Sequence, residues 1–247
     1  MNILSQFEFL DIFEAGKTVI FCGNAPSVVS EELGEWIDSH DIVVRINKIP
    51  ENKYSQDVGT KTSILVCNPY SSETEQETLP YIKDMVVICL FSLTRRGDAK
   101  SFKSWLNGNK VVFSYIPDIV ATDYNDHFES LTTGTYAINL LGRILKPSSV
   151  SICGFTMFLD DTSHHYWSKV TPHGVRVHDF INESKLFISL INRFPEKIGL
   201  TLSSDIIWVS KKSGIKVIRN YSEKLLRASR WKNENRSFWN IRCRQFW

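Results

Sequence analysis

Six short runs of β-branched and apolar residues constrain the fold of this chain more than any other feature. They are Thr18–Cys22, 41–46, 63–67, 85–91, 110–116 and Ser149–Cys153. A strand with one wet face alternates apolar and polar residues. These runs are nearly all apolar, so both faces must be covered, as in the central strands of a parallel sheet. Helical patterns lie between several of them, over 30–39, 99–106 and 135–145; the last aligns Tyr136, Leu140 and Ile144 beside Leu141 and Leu145. A further helix is expected to start near Asp179, carry Phe180, Phe187, Ile191 and Phe194 at helical spacing, and stop at Pro195. Strand alternating with helix predicts an α/β fold built on a mostly parallel sheet. In such sheets ligands lie beyond the C-terminal strand ends, which directs attention to the loops after Cys22, Ile46, Cys67 and Cys153.

Composition excludes several other classes. With 43% apolar and 23% charged residues the chain reads as globular, not as disordered, collagenous or coiled coil. The longest apolar run, 85–91, falls far short of the roughly 18 residues of a membrane span. Glu8, Asp11 and Glu14 interrupt any signal peptide. Cysteines stand at 22, 67, 89, 153 and 243 with no CxxC spacing, the pattern of reduced, buried thiols in a cytoplasmic protein. The formal charge of +2 is uneven: 211–247 carries +9, leaving −7 on the rest. This divides the chain into a domain over 1–210 and a basic, aromatic segment over 211–247. In that segment 222–232 has the pattern of an amphipathic helix, and Trp231, Phe238, Trp239, Phe246 and Trp247 are interleaved with Lys and Arg. Such a segment suits peripheral contact with an anionic membrane surface at its inner face rather than nucleic acid.

The loops carry candidate chemistry. After the first run comes Gly23-Asn24-Ala25-Pro26-Ser27, able to offer amides and side-chain donors to phosphate. It matches neither GxxxxGK[ST] nor GxGxxG. Asn47 and Asn68 follow two further runs, so three strand ends present an amide that both donates and accepts. Thr132-Thr133-Gly134 precedes a helix and offers a cap and free amides. His164-His165-Tyr166-Trp167 is followed by His173 and His178, with no zinc-ligand spacing; Asp160-Asp161 reads as a solvated pair. His178, ahead of Asp179 and Glu183, is a candidate general base. Each feature also has a structural reading, as a strand-to-helix turn, Asn turn chemistry, a helix cap or a packed histidine.

Taken in order, these segments resemble the animal-type sialyltransferases, in their β-galactoside-directed branch, in a short, bacterial-like form. Gly23-Asn24, 37–48 and 57–62 look like the large sialylmotif, and 132–155 like the small one. His164-His165-Tyr166-Trp167 looks like the third motif, and His178 with Glu183 fits the H-x4-E of the very small motif. The resemblance implies a single Rossmann-like domain of GT-A-like type with a mostly parallel sheet, followed by the basic tail. It implies inverting transfer of sialic acid from CMP-sialic acid to a hydroxyl of a galactose-terminated glycan or glycolipid, with no metal or other cofactor. By motif position His178 is the base, and His165 steadies the departing CMP phosphate. Asn24 and Asn47 belong to the nucleotide site, Thr133 and Gly134 to the loop against phosphate or carboxylate. Ser27, Asn68 and Phe155 are further donor-binding residues. The family's disulfide is missing, with Val19 and Leu145-Lys146-Pro147 at its positions, and Ser168 replaces the acidic residue after the third motif. These departures point to a cytoplasmic enzyme of bacterial type, for which CMP-Kdo or another CMP-ulosonic acid, used on a surface polysaccharide or lipooligosaccharide, is the alternative donor. A nucleotide- or glycan-binding protein without transfer activity and a metal-dependent nucleotidyl enzyme are the other classes. Acceptor choice is assigned to 71–80, 94–100 and 117–130.

Overall fold

A computed structural model describes residues 2–67, 79–91, 106, 108–115, 131–159, 165–167 and 179–226. The strands are β1 (Asn2–Ile3), β2 (Thr18–Cys22), β3 (Ile42–Ile46), β4 (Ile64–Cys67), β5 (Val86–Phe91), β6 (Lys110–Tyr115), β7 (Ser149–Cys153), β8 (Gly199–Ser203) and β9 (Ser222–Lys224). They form one sheet in the order β1-β6-β5-β4-β3-β2-β7-β8-β9. Every neighbouring pair is parallel. Period-two alternation divides each run between two covered faces. Val19 and Phe21 enter one apolar cluster, while Ile20 and Cys22 enter the other. This explains the unbroken apolar runs.

The described helices are α1 (Gln6–Ile12), α2 (Gly34–Asp38), α3 (Ser55–Val58), α4 (Thr133–Ile144), α5 (Phe180–Asn192) and α6 (Ser204–Ser213). Residues of α1, α4, α5 and α6 pack on the Val19–Phe21 face, and Ile37 of α2 and Val58 of α3 on the other. Local chemistry sets the ends. Ser5 and Glu8 form a capping box on α1, and Asp179 Oδ1 accepts from Asn182 N at 3.1 Å to start α5. α6 ends at Gly214 in the left-handed region, with Lys211 and Lys212 in its last turn, where cations suit the helix dipole.

The expected helix over 30–39 is shorter. Ser30 and Glu32 have φ of 64° and 53°, so helix begins only after them, in the short α2. The expected helix over 99–106 lies outside the described residues apart from Leu106. β1, β8, β9, α1, α3 and α6 were not expected.

The C-terminal division also changes. α6 crosses the 210/211 boundary, and the chain returns as β9 beside β8. Arg219 is buried, donating to the carbonyls of Phe194 and Ile198, and Leu226 N donates to Ser204 Oγ at 2.8 Å. Residues 211–226 therefore belong to the domain. Where an amphipathic helix was expected, Ser222–Lys224 is an edge strand, because ladder pairing outweighs helix pattern in so short a segment. Residues 227–232 and the remaining tail lie outside the described residues. No described helix is long and apolar enough to cross a membrane. Cys22, Cys67, Cys89 and Cys153 are buried free thiols.

Candidate active site

The strand order reverses at β2. From β2 the chain steps outward through β3, β4, β5 and β6, then returns with β7 on β2's other side. Beyond the C-terminal ends of β2, β3 and β7 the connections diverge and leave a crevice. A cavity opens there, lined by the loops after these strands and by the residues at 132–134.

Glycines let the walls approach. Gly23 N donates to Cys153 O and Ala25 N to Gly154 O, each at 2.9 Å. A Cβ at Gly23 would lie 2.1 Å from Gly154 O, so only glycine fits. Asn24, the next residue, lines the cavity. Its Nδ2 donates to Ile46 O at 2.7 Å, which leaves Oδ1 as an acceptor for a ligand. From β3 comes Asn47, at φ 58°, a left-handed conformation Asn tolerates.

The start of α4 forms a further wall through Thr132, Thr133 and Gly134. Thr132 is the N-cap and is itself held by a carboxylate: Glu183 Oε1 accepts from Thr132 N at 2.7 Å and from Thr132 Oγ1 at 2.6 Å. Glu183 is fully buried on α5. Phe155, after β7, fills the space a side chain at Gly134 would need; a Cβ there would meet Phe155 Cε1 at 2.5 Å. Behind it Phe187 packs with ring centroids 5.3 Å apart. Met157 and Phe158 follow, both at φ 54°. Two successive bulky residues in this region carry strain of about 1–2 kcal/mol each, found where surrounding packing enforces it.

His165 completes the rim. It is buried, lines the cavity and stacks on Trp167 at 4.7 Å. Lys48 Nζ lies 5.3 Å from the Trp167 ring centre. Tyr166 N donates to Asn24 O at 3.0 Å, which docks this segment on the loop after β2. Burial raises the Tyr166 phenol well above its usual range, so it stays protonated.

The structure thus brings Asn24, Asn47, Thr133, Gly134, Phe155 and His165 to one cavity. Ser27 differs from expectation. It is buried in the Pro26–Val28 turn, does not line the cavity, and donates to Asp205 Oδ2 at 2.7 Å. Its hydroxyl is drawn inward by a carboxylate the sequence reading did not consider. Asn68, His164, His173 and His178 lie outside the described residues, as do Asp160 and Asp161. Among the described residues no group of His, Cys, Asp or Glu is arranged to hold a metal ion. The reading also passed over Met157, Phe158 and Asp205. Asp205 stands in a Ser-Ser-Asp sequence that reads as an ordinary strand-to-helix junction.

Residues 17–117 match glycosyltransferase family 29, the sialyltransferases. Over that segment the chain is similar to the family 29 sialyltransferases. The match spans β2 to β6 and takes in Gly23, Asn24 and Asn47. An α-N-acetylneuraminide α-2,8-sialyltransferase of Xenopus laevis is 26% identical over 178 residues, covering 61% of this chain and 49% of that protein. Human β-galactoside α-2,6-sialyltransferase 1 is 45% identical over 56 residues, 23% of this chain and 14% of that protein. The chain therefore spans at most about half the length of these relatives. The crystal structure of a mammalian sialyltransferase superimposes with a TM-score of 0.50 at 20% identity, covering 75% of this chain and 68% of that one. That likeness is one of fold.

Proposed function

We propose that this chain is an inverting glycosyltransferase that moves sialic acid from CMP-sialic acid to a hydroxyl of a galactose-terminated glycan, without a metal. The observation that carries the reading is the cavity at the strand-order reversal, where Asn24, Asn47, Thr133, Gly134, Phe155 and His165 meet. The relation to family 29 supports the same donor class.

In this reading the acceptor oxygen attacks the anomeric carbon while the bond from that carbon to the CMP phosphate breaks. The bonding pair leaves with the phosphate, and the acceptor's proton passes to His178. Charge grows on the leaving phosphate. Without a metal it must be met by preorganised donors. The first turn of α4 offers free amides and about half a positive charge, and His165 offers a ring N–H as a hydrogen-bond donor. Asn24 and Asn47 supply both hydrogen-bond senses to the base and ribose of the nucleotide. Glu183 and Phe155 keep the start of α4 in register with the loop after β2.

We also propose that the enzyme works in the cytoplasm at the inner membrane face. Exposed Ile218, Tyr221 and Leu225 lie on the part of the domain that leads into the basic, aromatic residues 227–247, in a stretch that also carries Lys211, Lys212 and Lys216. Flotation of the full chain with anionic liposomes, lost on deletion of 227–247, is expected; unchanged flotation refutes a role for the tail.

The deciding experiment is CMP release from CMP-sialic acid and from CMP-Kdo, with a panel of galactosides, in EDTA, for wild type and His178→Ala. Turnover of CMP-sialic acid that survives EDTA and falls about 10²–10⁴-fold in the variant is the expected result. Turnover of CMP-Kdo alone transfers the mechanism to a Kdo-containing surface glycan. Loss of turnover in EDTA refutes metal independence, and full activity of His178→Ala refutes the base. CMP titration without turnover of either donor identifies a binding protein.

A further inference from the structure

A fully buried carboxylate outside the cavity ties two of its walls together. Asp205, at the start of α6, is inaccessible to solvent. Its Oδ2 accepts from Ser27 Oγ at 2.7 Å and from Gly154 N at 2.9 Å. Its Oδ1 accepts from Ile206 N at 2.9 Å and lies against Ser203 Oγ, which also reaches Ile152 O at 3.1 Å. Ser27 belongs to the turn that follows Asn24. Gly154 begins the turn that carries Phe155 to Phe158. One carboxylate oxygen therefore holds the loop after β2 and the loop after β7, the two segments that cross at Gly23 and Gly154.

The cost of this arrangement makes a merely incidental role a poor account. Burying a carboxylate is expensive unless its oxygens are fully hydrogen-bonded, and removal of one partner leaves the other group unsatisfied. A small apolar residue would fill the same position at a helix start without that penalty. What the carboxylate adds is a fixed separation between two loops whose spacing sets the cavity.

We propose that Asp205 is the positioning residue of the donor site, acting through Ser27 and Gly154 to hold Asn24 and Phe155 at the spacing the nucleotide requires. It touches neither substrate nor the reacting atoms. The proposal rests on the reading of the cavity as a CMP-sugar site. It predicts a selective defect: donor affinity falls while acceptor affinity does not. Asparagine retains one oxygen for Ser27 and Gly154, the two bonds that hold the loops; its amide can donate to Ser203, which then donates to Ile152, and only the local acceptor of Ile206 N is lost. Asp205→Asn therefore rescues, and alanine does not.

The test compares wild type, Asp205→Asn, Asp205→Ala and Ser27→Ala. CMP affinity is read by calorimetry, donor and acceptor KM by kinetics, and exchange of the Ala25 and Gly154 amides by NMR. Expected is a loss of about tenfold or more in CMP affinity for Asp205→Ala and a smaller loss for Ser27→Ala. The acceptor KM should be unchanged, both amides should exchange faster, and Asp205→Asn should stay within about threefold of wild type. Equal CMP affinity in folded Asp205→Ala or Ser27→Ala overturns the proposal, as does a proportional fall in all kinetic constants. If Asp205→Ala does not fold, Ser27→Ala and Asp205→Asn decide. A wild type that binds no CMP refutes the functional reading instead, and amide exchange alone then judges the role of Asp205: unchanged exchange in Ser27→Ala refutes it.

Discussion

Gly23→Ala is the substitution whose consequence can be worked most directly from the structure. The added Cβ would lie 2.1 Å from Gly154 O, 2.7 Å from Gly154 C and 2.9 Å from Phe155 Cδ1. Comfortable contact needs about 3.5 Å, so the ends of β2 and β7 must part by roughly 1 Å. The obstacle is mainly backbone and has no rotamer to yield. Parting loosens Gly23 N to Cys153 O and Ala25 N to Gly154 O, each 2.9 Å. Those bonds contribute about 1 kcal/mol each, and overpacking adds about 1–3 kcal/mol. The total, about 3–5 kcal/mol, corresponds to a fall in Tm on the order of 10 °C for a chain of this length. CMP affinity should fall with it, since Asn24 follows directly. Gly214→Ala is the control: its φ is 75° but nothing lies within 4 Å, so only backbone strain of about 1–2 kcal/mol applies. Differential scanning calorimetry of both variants checks the reasoning. A Gly23→Ala protein no less stable than Gly214→Ala would refute the claim that the two loops are in obligatory contact.

Other consequences follow from buried polar groups. Glu183→Gln exchanges a charged acceptor for a neutral one at Thr132 and should cost about 1–2 kcal/mol in urea denaturation, with weakened CMP binding; an unchanged midpoint would remove Glu183 as the anchor of α4. His40 is buried, its Nδ1 donating to Trp36 O at 2.9 Å and its Nε2 accepting from Ser151 Oγ at 2.8 Å. Burial depresses its pKa below the usual value. The unfolded chain then binds the proton more readily, so this contribution is present above the ordinary histidine range and is lost as pH falls through that range toward the lower folded value. Urea midpoints taken from about pH 7.5 to about pH 5 should decline, and less steeply in His40→Gln; parallel curves would refute the assignment. Burial raises the carboxyl of Asp205, with hydrogen bonds from Ser203, Ser27, Gly154 and Ile206 opposing it and the Cys153 thiol nearby. Its contribution runs the other way, full at pH below the ordinary Asp range and lost as pH rises through the raised folded value, and Asp205→Asn should remove that dependence in the same titration. Cys22, Cys67, Cys89 and Cys153 should react with a thiol reagent only at the rate of unfolding; rapid labelling of any of them in native protein would contradict their burial.

The parallel sheet is legible in the apolar runs. Apolar runs with no alternation demand two covered faces, and that information is local: it is complete within each run, from Thr18–Cys22 to Ser149–Cys153. The sequence also pointed to loops that line the cavity, because Asn24, Asn47, Thr133, Gly134 and Phe155 follow strand ends or open a helix directly. Short or edge elements were less legible. β9 is Ser-Glu-Lys, with no apolar pattern, and becomes a strand only because β8 offers it an open edge. Tertiary structure alone decided the role of Ser27. From sequence it belongs with Asn24 in a phosphate-binding turn. In the fold its hydroxyl meets Asp205, 178 residues away in the chain. The physical reason is that periodicity reports which face of an element is buried, whereas the partner of a buried polar group is set by which elements pack together. Asp205 cannot be buried without donors, and only the crossing of the β2 and β7 loops over α6 brings Ser27 and Gly154 within reach.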